Sequence, residues 1–501
     1  AGMVVWSEIP FVNKVAFTDA PASPALVANA RQQLIELIRQ NSNHPSVVTW
    51  GVGNEVDIDM AQGKLGPKAD PSPLLRNLSA LAKQEDPTRP TTMADCCEAT
   101  PGSKPGAVPM LAGITDLMGY NRYFGWYYGN VGDFGPYMDS LHAAHPDVPL
   151  SVSEFGAGGA LSQHTDNPLG GPINFSNRPH PEEFQSWWHE QSWPQLAKRH
   201  YLWGIWVWNM FDFASNIRHE GDSTDINDKG LVSYDRKVKK DAFYFYKAHW
   251  SDQPVVHING RRYVHRAYAV NDVRIYSNAN AVQVSLNGHA LGRVACKQRI
   301  CMLHNVALAP GGNHLVAQAR FGGQTVSDVV DWDAPDAKHG LAINVGDLSG
   351  YVAANGSRTG SDNWFEGGIP HRLDEVQARR LSGEGDARLR TGYREGRFAY
   401  TIPLPNGAWM VTLLFVDPGS KDKTPHRFNV TANGTRVLDR FDPAAAARAS
   451  FVGVTRHVMV KVTDGVLDLR FIPVSGSAVL SAIEVRPVHD GENPKLSDSG
   501  D

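Results

Sequence analysis

Cysteine is scarce in this chain: four residues in 501, at Cys96, Cys97, Cys296 and Cys301. None stands in a Cys-x-x-Cys pair and no set has zinc-ligand spacing, so structural zinc ribbons and dithiol redox chemistry drop out. Cys296 and Cys301 could meet across a hairpin; the reading taken is free buried thiols. Also absent is any run of about 18 apolar residues, the least a membrane-crossing helix needs. No stretch reads as a signal peptide, and no internal repeat suggests a solenoid. Net charge is only −4, which disfavours a polyanion partner such as nucleic acid.

What the chain has is length, apolar mass and aromatic rings. Its 501 residues suffice for three domains of about 150 residues each, and an apolar content of 42% is ample for packed cores. Thirteen Trp and fifteen Tyr are many. Such rings serve large cores, and they also serve sugar sites, where the apolar face of a pyranose stacks on them. The chain opens on an apolar strand, "AGMVVWSEIP", with no polar start before it, which reads as a cut inside a domain.

Residues 1–250 alternate strand and helix signals, the α/β pattern. Strands are expected at 3–9, 46–55, 91–95, 117–124, 149–155 and 202–213. Helices are expected at about 24–40, where Leu26, Val27, Ala30, Leu34, Leu37 and Ile38 recur at helical spacing, at 72–84, and in the Trp-rich segment 181–201. From about 251 the texture changes to short alternating segments separated by turns, for example 272–278, 281–288 and 313–321. This is expected to be an Ig-like β-sandwich over 251–334. Residues 331–340 read as a linker, 341–488 as a second all-β sandwich, and 489–501 as a polar tail.

Two glutamates stand out: Glu55 closing "HPSVVTWGVGNE" and Glu154 in "VPLSVSEFG". Each ends a short apolar run that reads as a buried strand and passes into a Gly-rich or loop-like stretch. A parallel β/α barrel carries its chemistry at the C-terminal ends of its strands, and a carboxylate pair placed there is what a glycosidase uses.

Five stretches then carry a family resemblance in the right order: "RQNSNHPSVVTWGVGNE", "YNRYFGWYYGN" (120–130), "SVSEFG", "VWNMFDF" (207–213) and "NDKGLVSYDRKVKKDAFYFYKAHW" (227–250). Together they make residues 1–250 resemble glycoside hydrolase family 2, the family of β-galactosidases, β-glucuronidases and β-mannosidases. The resemblance implies a (β/α)8-type TIM barrel followed by two all-β sandwiches. Residues 251–334 are similar to the Ig-like domain that follows the barrel in such enzymes. Residues 341–488 resemble a malectin-type carbohydrate-binding domain through "AINVGDL", "YTIPLPNGAWMVTLLFVD" and "SAIEVRPV". There Tyr351, Trp364 and Phe365 are candidate glycan-binding rings.

The resemblance also implies roles. Glu55 would be the general acid/base, protonating the leaving glycosidic oxygen and then deprotonating water. Glu154 would be the nucleophile that forms the glycosyl-enzyme of a retaining mechanism. Asn54 would bind the sugar 2-hydroxyl, and Tyr123 would hydrogen-bond Glu154. Tyr127 and Trp208 would line the sugar pocket. Of the alternating pair Trp206 and Trp208, Trp208 carries the match. Asn227 and Lys229 resemble the Asn-x-Lys-Gly element by which β-glucuronidases hold the substrate carboxylate. The wider segment "INDKGLVSYDRK" resembles β-galactosidases with the same Ig-like follower. The expectation is therefore a retaining exo-β-galactosidase, with a β-glucuronidase using Asn227 and Lys229 as the alternative. A non-hydrolytic glycan-binding protein is the alternative of another class. No metal or cofactor is implied, and the partner is an oligosaccharide or glycoside.

The sequence departs from the family pattern at its start. Six barrel strands are legible, and the first two of eight are missing. This leaves open sheet edges to be covered by a collapsed barrel, a second copy in a homo-oligomer or a complementing N-terminal segment. It also makes weak activity of this chain alone an expectation. The family and the glycan-binding module lean toward a periplasmic or secreted location.

Overall fold

The computed structural model describes residues 2–11, 23–56, 71–96, 111–173, 179–352, 356–419 and 424–488. The polar tail expected at 489–501 lies outside them. The chain divides into two compact units, residues 1–157 with 188–210, and residues 158–187 with 211–501.

The first unit is built on six parallel strands hydrogen-bonded in chain order: β1 (Val5–Glu8), β2 (Val47–Asn54), β3 (Thr91–Asp95), β4 (Leu117–Asn121), β5 (Leu150–Phe155) and β6 (Leu202–Val207). This is a partial barrel sheet, and among the described residues neither β1 nor β6 has a further neighbour. Every residue of β3 is buried, as are four of the five in β4. Such strands are covered on both faces, as in a parallel sheet.

Helix α1 (Pro24–Asn41) begins where Ser23 Oγ accepts the Leu26 amide and proline occupies the first turn, a favourable start for both reasons. It buries Ala30, Leu34 and Ile38. The next helix, α2 (Ser72–Glu85), buries Leu74, Leu75, Leu78, Leu81 and Ala82. Two further helices are α3 (Phe134–Ala144) and α4 (Glu182–Ala197). From α4, Trp188 donates its indole N–H to Phe124 O at 2.9 Å.

The strand expected over 202–213 ends at Val207. Trp208 N–H still bonds Phe155 O at 2.9 Å, the Trp208–Asn209 peptide is cis, and Phe213 opens a different element. Trp6 of β1 stacks on Trp203 at 5.9 Å and meets Trp206 edge-on at 5.7 Å, so rings from the first and last strands converge. A Cβ at Gly119 would lie 2.7 Å from Trp6 Cη2, so the indole crosses the middle of the sheet where glycine leaves room. Outside this cluster Met3 and Val4 remain 71% and 63% exposed.

The second unit starts with an antiparallel hairpin of β7 (Phe213–Glu220) and β8 (Ser223–Asn227), turning at Gly221, followed by α5 (Asp241–Trp250). Seven strands between Val256 and Ala334 follow, around a core that includes Val273, Ile275, Val284, Leu315 and Trp332. Cys296 and Cys301 face each other in this sheet and form a disulfide. The free-thiol reading is thereby corrected: antiparallel pairing puts the two residues directly opposite. Cys96 is disulfide-bonded as well, while Cys97 lies outside the described residues. The stretch 331–334, expected in a linker, ends the strand Gln324–Ala334, because Trp332 is drawn into the core.

Strands from Leu341 to Pro487 form two packed sheets of seven and six strands. Their core includes Ile343, Tyr400, Trp409, Phe415, Phe428 and Phe471.

Candidate active site

The C-terminal ends of β2, β4 and β5 bring the expected carboxylates near one another, since the charges of both Glu55 and Glu154 act on the Tyr123 phenol. Glu55 follows β2 directly, its amide bonded to Ala94 O at 2.9 Å, and its φ is 52°. A glutamate in the left-handed region costs roughly 1–3 kcal/mol, and such strain persists where the surroundings over-determine it. Glu154 is paired in register with Asn121 of β4. Gly156 is required just beyond it, since a Cβ there would sit 2.0 Å from Trp208 O.

Tyr123 comes from the loop after β4. Its hydroxyl donates to Glu154 Oε2 at 2.5 Å. Burial pushes the Tyr123 phenol well above its ordinary value, and the charges of Glu154 and Glu55 add to this. It therefore stays a protonated donor, and it senses both carboxylates. Tyr127 packs edge-on against Tyr123 at 4.9 Å. The tight turn that carries both needs Gly125, at φ 75°, where a Cβ would meet Val131 N at 2.7 Å.

Four residues that the sequence reading did not single out hold these groups. Asn121 donates from one amide nitrogen to Asn54 Oδ1 and to Glu55 Oε1, each at 3.0 Å, and accepts from Ser153 Oγ at 2.6 Å. Arg122, fully buried, pairs with Asp95 at 2.7 Å and donates to the carbonyls of Asp95, Cys96 and Asn121. It ties the ends of β3 and β4 together. An arginine inside "YNRYF" was the available signal, since a buried guanidinium needs a partner. Of the expected tryptophans, Trp206 belongs to the cluster with Trp6 and Trp203. Trp208 is fixed by its backbone bond to Phe155.

Asn227 and Lys229 belong to the second unit. Asn227 Oδ1 accepts the Lys229 amide at 3.2 Å. The Lys229 ammonium is buried 3.9 Å from Glu220 Oε2, and Arg218 binds Glu220 Oε1 at 2.6 Å. His180 Nδ1 lies 2.7 Å from Asp228 Oδ2. Burial pushes Asp228 up, but its bond to His180 and the charges of Lys240 and Lys229 outweigh this and hold it below the usual range. His180, Glu220 and Asp228 come close enough to offer ligands to a cation. Arg218 and Lys229 both pair with Glu220, while Asp228 is held by His180.

In the C-terminal sandwich the three candidate rings are partly covered. Trp364 lies against Tyr268 at 4.4 Å, Arg394 covers Phe365 at 3.6 Å and Arg388 covers Tyr351 at 3.7 Å. Among the described residues no helix is long and apolar enough to cross a membrane.

Comparison with known proteins identifies the family. The family "Glycosyl hydrolases family 2, TIM barrel domain" matches residues 2–253. The chain belongs to glycosyl hydrolase family 2. The malectin domain matches residues 361–497. A β-glucuronidase of Bacteroides fragilis is 39% identical over 316 residues, covering 62% of this chain and 43% of that protein. A β-galactosidase of Bacteroides ovatus is 23% identical over 300 residues, covering 52% and 33%. Among solved structures, Bacteroides uniformis β-glucuronidase 2, covalently bound to cyclophellitol-6-carboxylate aziridine, superposes with a TM-score of 0.62. It is 27% identical and is covered over 59% of its length by 97% of this chain. The chain spans less than half the length of curated relatives such as these β-glucuronidases.

Proposed function

We propose that the protein is a retaining exo-β-glycosidase in which Glu154 attacks the anomeric carbon and Glu55 is the acid/base. The observation that carries this reading is the Tyr123–Glu154 bond of 2.5 Å beside the Asn121–Glu55 bond of 3.0 Å. One carboxylate is held by a phenol that stays protonated, which favours the ionised, nucleophilic form. The other is steadied by a neutral amide that tolerates both its protonation states, as an acid that later acts as base requires. Asn54, anchored by Asn121, is suited to the sugar 2-hydroxyl, and Tyr127 and Trp208 to the sugar ring. A purely glycan-binding protein needs neither carboxylate.

For the sugar, the reading is a terminal β-glucuronide. Lys229, held by Asn227 and already near one carboxylate, has the chemistry to pair with a uronate. The relatives named β-glucuronidase include the 39% identical one from Bacteroides fragilis. The sequence expectation put galactoside first. It remains the second reading, supported by the galactosidase-like segment around Lys229 and by the Bacteroides ovatus relative. The ratio of kcat/KM on nitrophenyl β-glucuronide and β-galactoside decides between them. No turnover of either, with wild type no better than Glu154→Gln, would sink the enzymatic reading. The Cys296–Cys301 disulfide supports an oxidising compartment, periplasmic or extracellular.

A further inference from the structure

Asn121 is 1% exposed and every polar atom of its side chain is engaged. Its oxygen takes the Ser153 hydroxyl hydrogen at 2.6 Å, and its NH2 serves Asn54 Oδ1 and Glu55 Oε1 at 3.0 Å each. Turned by half a rotation, the amide would set its oxygen against two acceptor oxygens. Ser153 reaches this position only because residue 119 is glycine, since a Cβ there would lie 2.7 Å from Ser153 Oγ. With the amide locked, an N–H points at Oε1 of Glu55 in both protonation states. A proton on Glu55 therefore sits on Oε2. Asn54, its oxygen turned to Asn121, keeps its NH2 for donation.

We propose that Ser153 is a positioning residue that, through Asn121, fixes Oε2 of Glu55 as the oxygen carrying the transferable proton. The inference rests on the reading of Glu55 as acid/base. Without the Ser153 hydroxyl the Asn121 amide is released to turn. Its oxygen then accepts a hydrogen bond from a proton on Oε1, which keeps that proton on the protein-facing oxygen of Glu55 instead of the oxygen that faces the leaving group.

Two covalent probes of the accepted sugar configuration separate this role from others. Both form an ester between Glu154 and the anomeric or equivalent carbon. With a 2-deoxy-2-fluoroglycosyl fluoride the C–F bond breaks and fluoride leaves with the electron pair, so no proton is needed. With a cyclophellitol-type aziridine the C–N bond breaks and the nitrogen takes a proton from Glu55. Labelling rates are read by intact-mass spectrometry on wild type and Ser153→Ala. The expected result is fluoride labelling of Ser153→Ala within about twofold of wild type and aziridine labelling slower by about tenfold or more, the scale of partial loss of general-acid help. The same variant should lose kcat on alkyl glycosides and keep it on dinitrophenyl glycosides. Equal slowing of both probes, or of neither, overturns the proposal while leaving the glycosidase reading intact. Wild type labelled by neither probe overturns both.

Discussion

Tyr123 Oη lies 2.5 Å from Glu154 Oε2, and the phenol is held well above its ordinary pKa by burial and by that carboxylate. Across the working pH range the bond therefore stabilises ionised Glu154. Tyr123→Phe should lower kcat/KM by about 10- to 100-fold, the worth of a hydrogen bond to a charged group. It should also move the acidic limb of the pH–rate profile upward, because a carboxylate that loses a donor takes up its proton at higher pH. An unchanged acidic limb would place the role of Tyr123 elsewhere.

Lys229 separates the two sugar readings. If it meets a uronate, Lys229→Ala should cut kcat/KM on a nitrophenyl glucuronide by about 10- to 100-fold, with little change on the galactoside. Equal losses on both would mean that Lys229 acts through its contact with Glu220, 3.9 Å away, and not on the sugar.

Glu8 gives a pH signature of stability. It accepts from Trp6 Nε1 at 3.1 Å, and burial pushes its carboxyl up to about 7. The folded state then binds the proton more tightly than the unfolded chain, whose glutamate titrates near about 4.3. Stability should therefore fall as pH rises from about 4.3 to 7 and level off above that. Glu8→Gln should leave stability unchanged at pH 4 and raise it at pH 8 by on the order of 3–4 kcal/mol. Urea unfolding of the two proteins at both pH values measures the difference. A gain at pH 4 as large as at pH 8 would rule out titration as its cause.

The Cys296–Cys301 bridge closes a short loop, with a sequence separation of 5. In the chain-entropy account a loop of this size stabilises by about 2 kcal/mol. Reduction, or the double change to serine, should lower the thermal midpoint of the protein and leave kcat/KM unchanged. An unaltered midpoint would mean that the bridge adds nothing to the fold.

Much of the barrel fragment was legible because inner strands such as Val47–Asn54 and Leu150–Phe155 are largely buried and carry short apolar runs. Helix 24–41 was legible because Ala30, Leu34 and Ile38 repeat at helical spacing. The β7–β8 hairpin was not, although Gly221 and Asp222 at its turn, between polar alternating strands, were a usable signal. Asp95, Asn121, Arg122 and Ser153 escaped because apolar periodicity says nothing about polar groups that satisfy one another inside a strand-end network. The convergence of Trp6 with Trp203 and Trp206 joins strands about 200 residues apart in sequence, beyond any local pattern.

The most direct test of the account is to trap the glycosyl-enzyme. Wild-type protein is incubated with 2-deoxy-2-fluoroglycosyl fluorides of the gluco, galacto and glucurono series, digested, and sequenced by mass spectrometry. The account predicts one covalent adduct, on Glu154, with none in Glu154→Gln. An adduct on Glu55, or aryl glycoside hydrolysis whose first product is the α-anomer by NMR, would contradict it.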